Sequence, residues 1–169
     1  MLKRNFLIIA ILMITVVIFC PGQDRDKDNY IKKYKDIAMR EMERSGVPAS
    51  IKLAQGILES NAGKSTLARK ANNHFGMKCG SQWKGKTFYK EDDDYDEEGR
   101  LIKSCFRVFP SAKECYVAHS EFLRDPRKRY RYGFVFELNP KDYRSWSKVL
   151  KTACYATIPI YAEKLIRII

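Results

Sequence analysis

The stretch that decides the fold is GILESNAGKS, Gly56–Ser65. It closes on Gly-Lys-Ser, as a phosphate-binding loop does. That loop needs four residues between its first Gly and the Gly-Lys pair. Here six residues separate Gly56 from Gly63, and Leu58 stands where the right count would need glycine. A phosphate loop also follows a strand, whereas the residues before Gly56 have helical spacing. The segment therefore reads as the end of an apolar helix that carries Glu59 and is stopped by Asn61 and Gly63. The spacing argues against a phosphate-binding loop here, and the question becomes why a carboxyl stands at the lip of such a helix.

Working outward, Ile51, Ala54, Gln55 and Leu58 form one stripe with Leu53 and Ile57 beside it. This predicts a helix from Pro48, a residue suited to the first turn, to about Ser60. Upstream, Ile31, Tyr34, Ile37, Ala38 and Met42 predict an amphipathic helix over Asn29–Arg44. Downstream, a short helix is expected at Ser65–Lys70, then a loop, NNHFGMKC, with turn residues Asn72, Asn73 and Gly76. GKTFYKE and RLIKSCFRVF, rich in aromatic and β-branched residues, read as strands. Between them lies EDDDYDEEG, the tip of a two-stranded hairpin. After Pro110 helices are expected at Ser111–Leu123, Tyr132–Leu138, Pro140–Thr152 and Pro159–Ile169. There are no repeats or low-complexity linkers. The fold class is α+β, predominantly helical, with one inserted β-hairpin.

The chain begins MLKRNFLIIAILMITVVIFC, two cations before an apolar run, Phe6–Cys20, broken only by Thr15. A spanning helix needs about 20 apolar residues, so the run fits the core of a secretion signal. Val17 and Phe19 make a poor cleavage region before Cys20. Residues 1–22 are thus expected to be either a removed signal peptide or a retained N-terminal membrane anchor, with lipid attachment at Cys20 another option. Residues 23–169 are long enough to fold without staples. They hold Cys79, Cys105, Cys115 and Cys154, which in an exported chain permit two disulfides in three pairings. Cys79 with Cys105, closing the base of the hairpin, is the pair expected, against buried free thiols. With no Cys-x-x-Cys and only His74 and His119, no metal site is expected. The net charge of +12 points to anionic partners. The densest basic patch, RDPRKRYRY (Arg124–Tyr132), reads as a solvated surface segment.

Three features bear on chemistry. Glu59, flanked by Ile57 and Leu58, would be partly desolvated, which raises a carboxyl pKa and suits it to donate a proton to a leaving oxygen. The acidic run offers a second carboxylate among Asp92, Asp93, Asp94, Asp96 and Glu97, and glycosidic hydrolysis uses such pairs. A helix-loop-helix calcium site fails, because Glu97 stands where Gly is needed and Lys103 where Glu is needed. Phe75, Trp83, Tyr89, Phe106, Tyr155 and Tyr161 are flat faces suited to sugar rings. Core packing accounts well for Phe106 and Tyr161, and Trp83 in its polar context is the better surface candidate. His119, within a helix pattern, reads as structural.

LAQGILESNAGKSTLARKANNHFGMKC resembles the catalytic-helix signature of the bacterial endo-β-N-acetylglucosaminidases of glycoside hydrolase family 73. CFRVFPSAKECYVAHSEFL and ACYATIPIYAEKLIRII resemble the same family's later motifs, in the same order. The resemblance implies a lysozyme-like domain over 23–169 that cleaves the bond after N-acetylglucosamine in peptidoglycan. It implies Glu59 as general acid and Asn73, Phe75 and Gly76 as the loop that shapes the groove. Tyr155 would lie near the cleaved sugar. The second carboxylate falls best on Asp94, before Tyr95, with Asp93 or Asp92 as substitutes. Trp83, Asp93 and Tyr95 complete the expected substrate-binding set. Two positions depart from the family pattern: Ile158 replaces an Asp before Pro159, and Asn61 replaces an aromatic after the Glu.

The expectation is a monomeric, exported hydrolase of the cell envelope, periplasmic or extracellular. Its partner is the peptidoglycan glycan strand, with no cofactor and no nucleic acid, and it meets the membrane only through its N-terminal segment. The rivals are a muramidase or lytic transglycosylase acting on the other wall bond, a non-catalytic wall-binding module, and a basic nucleic-acid binder that export argues against.

Overall fold

The computed structural model describes residues 21–153, 155 and 159–169, without the side chains of residues 21–23, 93 and 94. Most of the expected signal or anchor segment therefore lies outside the described residues. No helix among those described is long and apolar enough to cross a membrane.

The first helix, α1, spans Pro21–Ser45. It starts earlier than the periodicity predicted. The polar run before Asn29 is helical too, with Asp24 in the first turn, where the helix dipole favours an anion, and Asp26 paired with Lys64. One stripe of α1 is buried: Tyr30, Tyr34, Ala38, Glu41 and Ser45. It packs on α2 (Ala49–Ser60), which also contacts the two C-terminal helices and is buried on most sides. Gly56 makes the close approach possible. A Cβ there would lie 2.4 Å from the Tyr30 hydroxyl.

The resemblance of the next residues to a phosphate loop has a local explanation. Asn61, Ala62 and Gly63 all take positive φ, at 50°, 52° and 78°. The Asn61 and Ala62 amides donate to the Ile57 carbonyl, and the Gly63 amide donates to Ser60 Oγ at 2.8 Å. Ser65 then caps α3 (Thr66–Ala71), its Oγ accepting from the Ala68 amide at 3.1 Å. The Gly-Lys-Ser ending is a helix stop followed by a helix start.

The strands β1 (Thr87–Tyr95) and β2 (Leu101–Arg107) form the antiparallel hairpin, in register from Thr87 opposite Arg107 to Glu91 opposite Lys103. Pairing is irregular between Glu91 and Tyr95. The segment 77–79 lies along the other edge of β2, where the Arg107 amide donates to the Met77 carbonyl and the Cys79 amide to Cys105. A Cys79–Cys105 disulfide fastens that edge, with Cα atoms 5.5 Å apart. It ties the preceding loop to β2 rather than β1 to β2. Cys115 is a buried free thiol, and Cys154 lies outside the described residues.

Helix α4 (Ala112–Arg124) is capped by Ser111 and buries Cys115, Tyr116, His119, Ser120 and Leu123. The single helix expected over Tyr132–Leu138 is instead a 3-10 turn at Pro126–Lys128, one α turn, α5, at Arg129–Tyr132, and a second 3-10 turn at Gly133–Glu137. Asp125 starts the series by accepting from the Arg127 amide at 3.0 Å, and Gly133 is poor at propagating a helix. Helix α6 (Tyr143–Thr152) begins three residues after Pro140, because the Asp142 carboxylate caps it at the Ser145 amide, 3.0 Å. The last helix, α7, runs Tyr161–Ile168. One core joins α1, α2 and α4 around Tyr30, Ile57 and Tyr116, and another gathers Ile51, Leu123, Trp146 and Leu150.

Candidate active site

The end of α2 opens onto a cleft of about 790 Å³ walled by the 75–80 loop, the hairpin, α4, α5 and Tyr155. Glu59, one residue before the helix ends, stands in its wall. The residue keeps an open face to solvent. Protein nevertheless surrounds most of its carboxyl, and that desolvation raises its pKa above the ordinary value. A hydrogen bond from Tyr161 and the charge of Lys164 pull the other way, less strongly.

The carboxyl is oriented by a short relay. Gln55, one turn earlier on α2, donates from Nε2 to the Tyr161 hydroxyl at 3.1 Å. That hydroxyl donates to Glu59 Oε1 at 3.1 Å. Gln55 is fully buried, and its Oε1 has no partner among the described residues. Core packing alone accounted for Tyr161 in the sequence, but its ring is buried and its hydroxyl serves the carboxyl.

Tyr155 lines the same cleft, half-buried, its ring stacked on Tyr161 at 5.9 Å. Its hydroxyl lies 2.8 Å from His119 Nε2. His119 in turn stacks on Phe75, with ring centroids 4.0 Å apart. Phe75 and Gly76 are cleft residues, and Gly76 takes φ +62° to turn the loop. Asn73 shapes the loop from beneath. It is buried, accepts from the Met77 amide and donates to the Met77 and Arg107 carbonyls, each at 2.9 Å. Phe106 is buried and forms part of the cleft wall.

The expected second carboxylate is only partly described. Asp92 lines the cleft and pairs with Lys78 at 3.2 Å. The side chains of Asp93 and Asp94 lie outside the described residues. Tyr95 is 63% exposed near the hairpin tip, opposite Leu101. Trp83, read as the surface candidate, keeps part of its surface open. Its ring is half-buried against Phe109, Arg107 covers it at 4.9 Å, and its Nε1 donates to the Lys86 carbonyl. Tyr89 is exposed on β1. Among the described residues no cluster of three or more His, Cys, Asp or Glu forms a metal site.

Sequence reasoning missed the cations around the cleft: Lys78, Lys90, Arg107, Lys128 and Arg131 share its lining with Glu59 and Asp92. Two of them come from the patch read as plain surface. It also missed Lys52, fully buried on α2 behind His119. A charged residue on a helix buried on most sides was the available signal.

Residues 35–169 match the glucosaminidase family model, described as mannosyl-glycoprotein endo-beta-N-acetylglucosaminidase. The chain belongs to the glucosaminidase family. Over 130 residues it is 36% identical to the exo-glucosaminidase LytG of Bacillus subtilis, covering 75% of this chain and 45% of the relative. Over 147 residues it is 31% identical to the peptidoglycan hydrolase FlgJ of Pseudomonas aeruginosa, covering 83% and 36%. The chain thus spans less than half the length of these two curated relatives. The catalytic domain of the autolysin Auto from Listeria monocytogenes superposes with a TM-score of 0.74 at 26% identity, over 89% of this chain and 93% of that one. The glycoside hydrolase domain of FlgJ from Salmonella typhimurium gives 0.65 at 29% identity, over 84% and 85%. In this glucosaminidase the helix carrying Glu59, the loop carrying Phe75 and the segment carrying Tyr155 enclose one cleft.

Proposed function

We propose that this glucosaminidase hydrolyses the β-1,4 bond that follows N-acetylglucosamine in peptidoglycan glycan strands. The observation that carries the reading is Glu59: a carboxyl in the cleft wall, desolvated enough to hold its proton above the usual pH and oriented through one oxygen by Tyr161. The other oxygen is left to carry the transferable proton. Glu59 delivers that proton to the glycosidic oxygen as the bond breaks. The positive charge that develops on the sugar is stabilised by a hairpin carboxylate. Asp94 is our choice by position, and Asp92 is the carboxylate described in the cleft. The substrate's own N-acetyl group is the other possible stabiliser. Tyr155 meets the sugar or its acetamido group, and Phe75, its ring buried against His119, shapes the groove. The cations of the lining suit the carboxylates of wall peptides. We further propose that the protein is exported to the envelope, with residues 1–22 as its signal or anchor, and acts there as a monomer.

The test is product chemistry. Residues 23–169 are incubated with peptidoglycan, and the soluble fragments are reduced with borohydride and read by mass spectrometry. Reduced N-acetylglucosamine ends are expected. Reduced or 1,6-anhydro muramic acid ends would replace this reading with a muramidase or a lytic transglycosylase.

A further inference from the structure

Behind Tyr155 lies a chain of buried polar groups that the proposed reaction does not use directly. Lys52 is 0% exposed, and its ammonium has three neighbours. They are the Tyr116 carbonyl at 2.9 Å, Ser120 Oγ at 2.6 Å and His119 Nδ1 at 3.2 Å. An ammonium has three donors and no acceptor, so these three bonds saturate it. Its countercharge is Glu41 on α1, reached through Ser120, whose hydroxyl donates to Glu41 Oε2 at 2.6 Å. Arg44 grips the same carboxylate with two bonds, 2.9 and 2.8 Å. No water is needed to close this network, which runs from the α1 surface to the cleft.

Proton bookkeeping along the chain leaves one arrangement. Burial holds the His119 imidazole far below its ordinary pKa, and the positive charge of Lys52 acts in the same direction, so the ring carries a single proton. Its Nδ1 faces the Lys52 ammonium, which has donors only, and must accept. The proton therefore sits on Nε2, which faces the Tyr155 hydroxyl at 2.8 Å. The tyrosine oxygen accepts that proton's hydrogen bond. Its own hydrogen is then free to point into the cleft. Burial keeps Tyr155 a phenol, so that hydrogen is present at any working pH. If Nδ1 carried the proton instead, Tyr155 would donate backward to His119 and present only a lone pair to the substrate.

We propose that Lys52 is a positioning residue: by fixing the His119 tautomer it sets Tyr155 as a hydrogen-bond donor into the cleft, aimed at a carbonyl or ether oxygen of the bound amino sugar. This rests on the reading that Tyr155 touches the substrate. Burial draws the Lys52 pKa down to about 7, while Glu41 raises it and Arg44 lowers it, with Cys115 the remaining titratable neighbour. The arrangement is therefore tested at pH 6, where the ammonium form predominates.

Two experiments decide it. In protein labelled with ¹⁵N-histidine, a long-range ¹H–¹⁵N correlation distinguishes the tautomers. His74→Gln identifies which of the two histidines gives which signal. Protonated Nε2 on His119 is expected, and protonated Nδ1 overturns the proposal whatever the enzyme cleaves. The second is a double-mutant cycle on peptidoglycan. Lys52→Met is expected to lower kcat at least about tenfold with KM little changed, as when a preorganised donor is lost. In the Tyr155→Phe background the same change is expected to lower it less than about twofold. Equal losses in both backgrounds mean a structural role and overturn the proposal. If Tyr155→Phe itself keeps the native kcat, the reading of Tyr155 fails, while the tautomer measurement still reports on the relay. If Lys52→Met does not fold, the tautomer in the native protein decides alone.

Discussion

Replacing Tyr161 by Phe removes one oxygen and tests the relay behind the proposed acid. The hydroxyl accepts from Gln55 and donates to Glu59 Oε1, both at 3.1 Å. Removing it leaves the Gln55 amide buried with no partner from Tyr161, and an orphaned buried donor costs about 1–3 kcal/mol. For a chain of this length each kcal/mol corresponds to roughly 2–4 °C in Tm. A fall of about 4–8 °C is therefore expected in Tyr161→Phe for the middle of that range. Gln55→Met removes the other partner at similar volume, so the double variant is expected to regain most of the loss. The catalytic consequence has a definite sign. The Tyr161 bond stabilises the Glu59 carboxylate and so opposes the rise caused by desolvation. Without it the Glu59 pKa rises further. Because the protonated acid is the active form, kcat/KM falls as pH rises through that pKa. The alkaline limb should move to higher pH in Tyr161→Phe. The assay is release of soluble fragments from peptidoglycan across pH, with thermal melts of the same proteins. A limb that stays in place or moves down, with an unchanged Tm, would refute the relay.

Three further outcomes follow from the packing. Closing a loop of 26 residues, the Cys79–Cys105 bridge should contribute about 3.5 kcal/mol, so Cys79→Ala/Cys105→Ala should lower the denaturant midpoint accordingly. Gly56→Ala places a methyl 2.4 Å from the Tyr30 hydroxyl, and denaturant titration should show a loss of about 1–3 kcal/mol. His74 is buried beside Tyr30, at 3.1 Å, and burial pulls its pKa down to about 4. Its unfolded value, near 6.5, is higher, so between the two the unfolded chain binds more protons. The neutral ring's contribution is therefore complete above about pH 6.5 and is lost as pH falls toward 4, by about 3 kcal/mol in all. Denaturant titrations at pH 7 and pH 4.5 should show a smaller acid loss in His74→Gln than in the native protein.

Much of the helical frame was legible because apolar spacing and helix-stop residues are local. The end of α2 after Ser60, the start of α3 after Ser65 and the hairpin all follow from residues close in sequence. The failures have physical causes. The early start of α1 is set by its dipole and by Asp26 meeting Lys64, a contact across 38 residues. Where one helix was expected over Tyr132–Leu138, the short turns of Pro126–Glu137 follow from an Asp125 cap and Gly133. Glu59 was readable as a lone desolvated acid. Its partners were not, since Tyr161 lies 102 positions away in sequence. Likewise His119 read as structural because its meaning depends on Lys52 on one side and Tyr155 on the other, 67 and 36 positions away. The packing of Trp83 was not legible either, because a polar neighbourhood in sequence says nothing about Arg107 and Phe109 folding against it.

The central claim is that Glu59 is the proton donor, and Glu59→Gln tests it most directly. The amide keeps the shape of the side chain and an oxygen for Tyr161 to bond, but has no acidic proton. Native protein and the variant are compared on the same peptidoglycan at equal concentration, with matching melting curves, by the rate of new reducing ends. The account predicts a loss of about 10²–10⁴-fold in rate for Glu59→Gln, the usual worth of a general acid, with binding to the wall retained. A variant that cleaves within a few-fold of the native rate would contradict it.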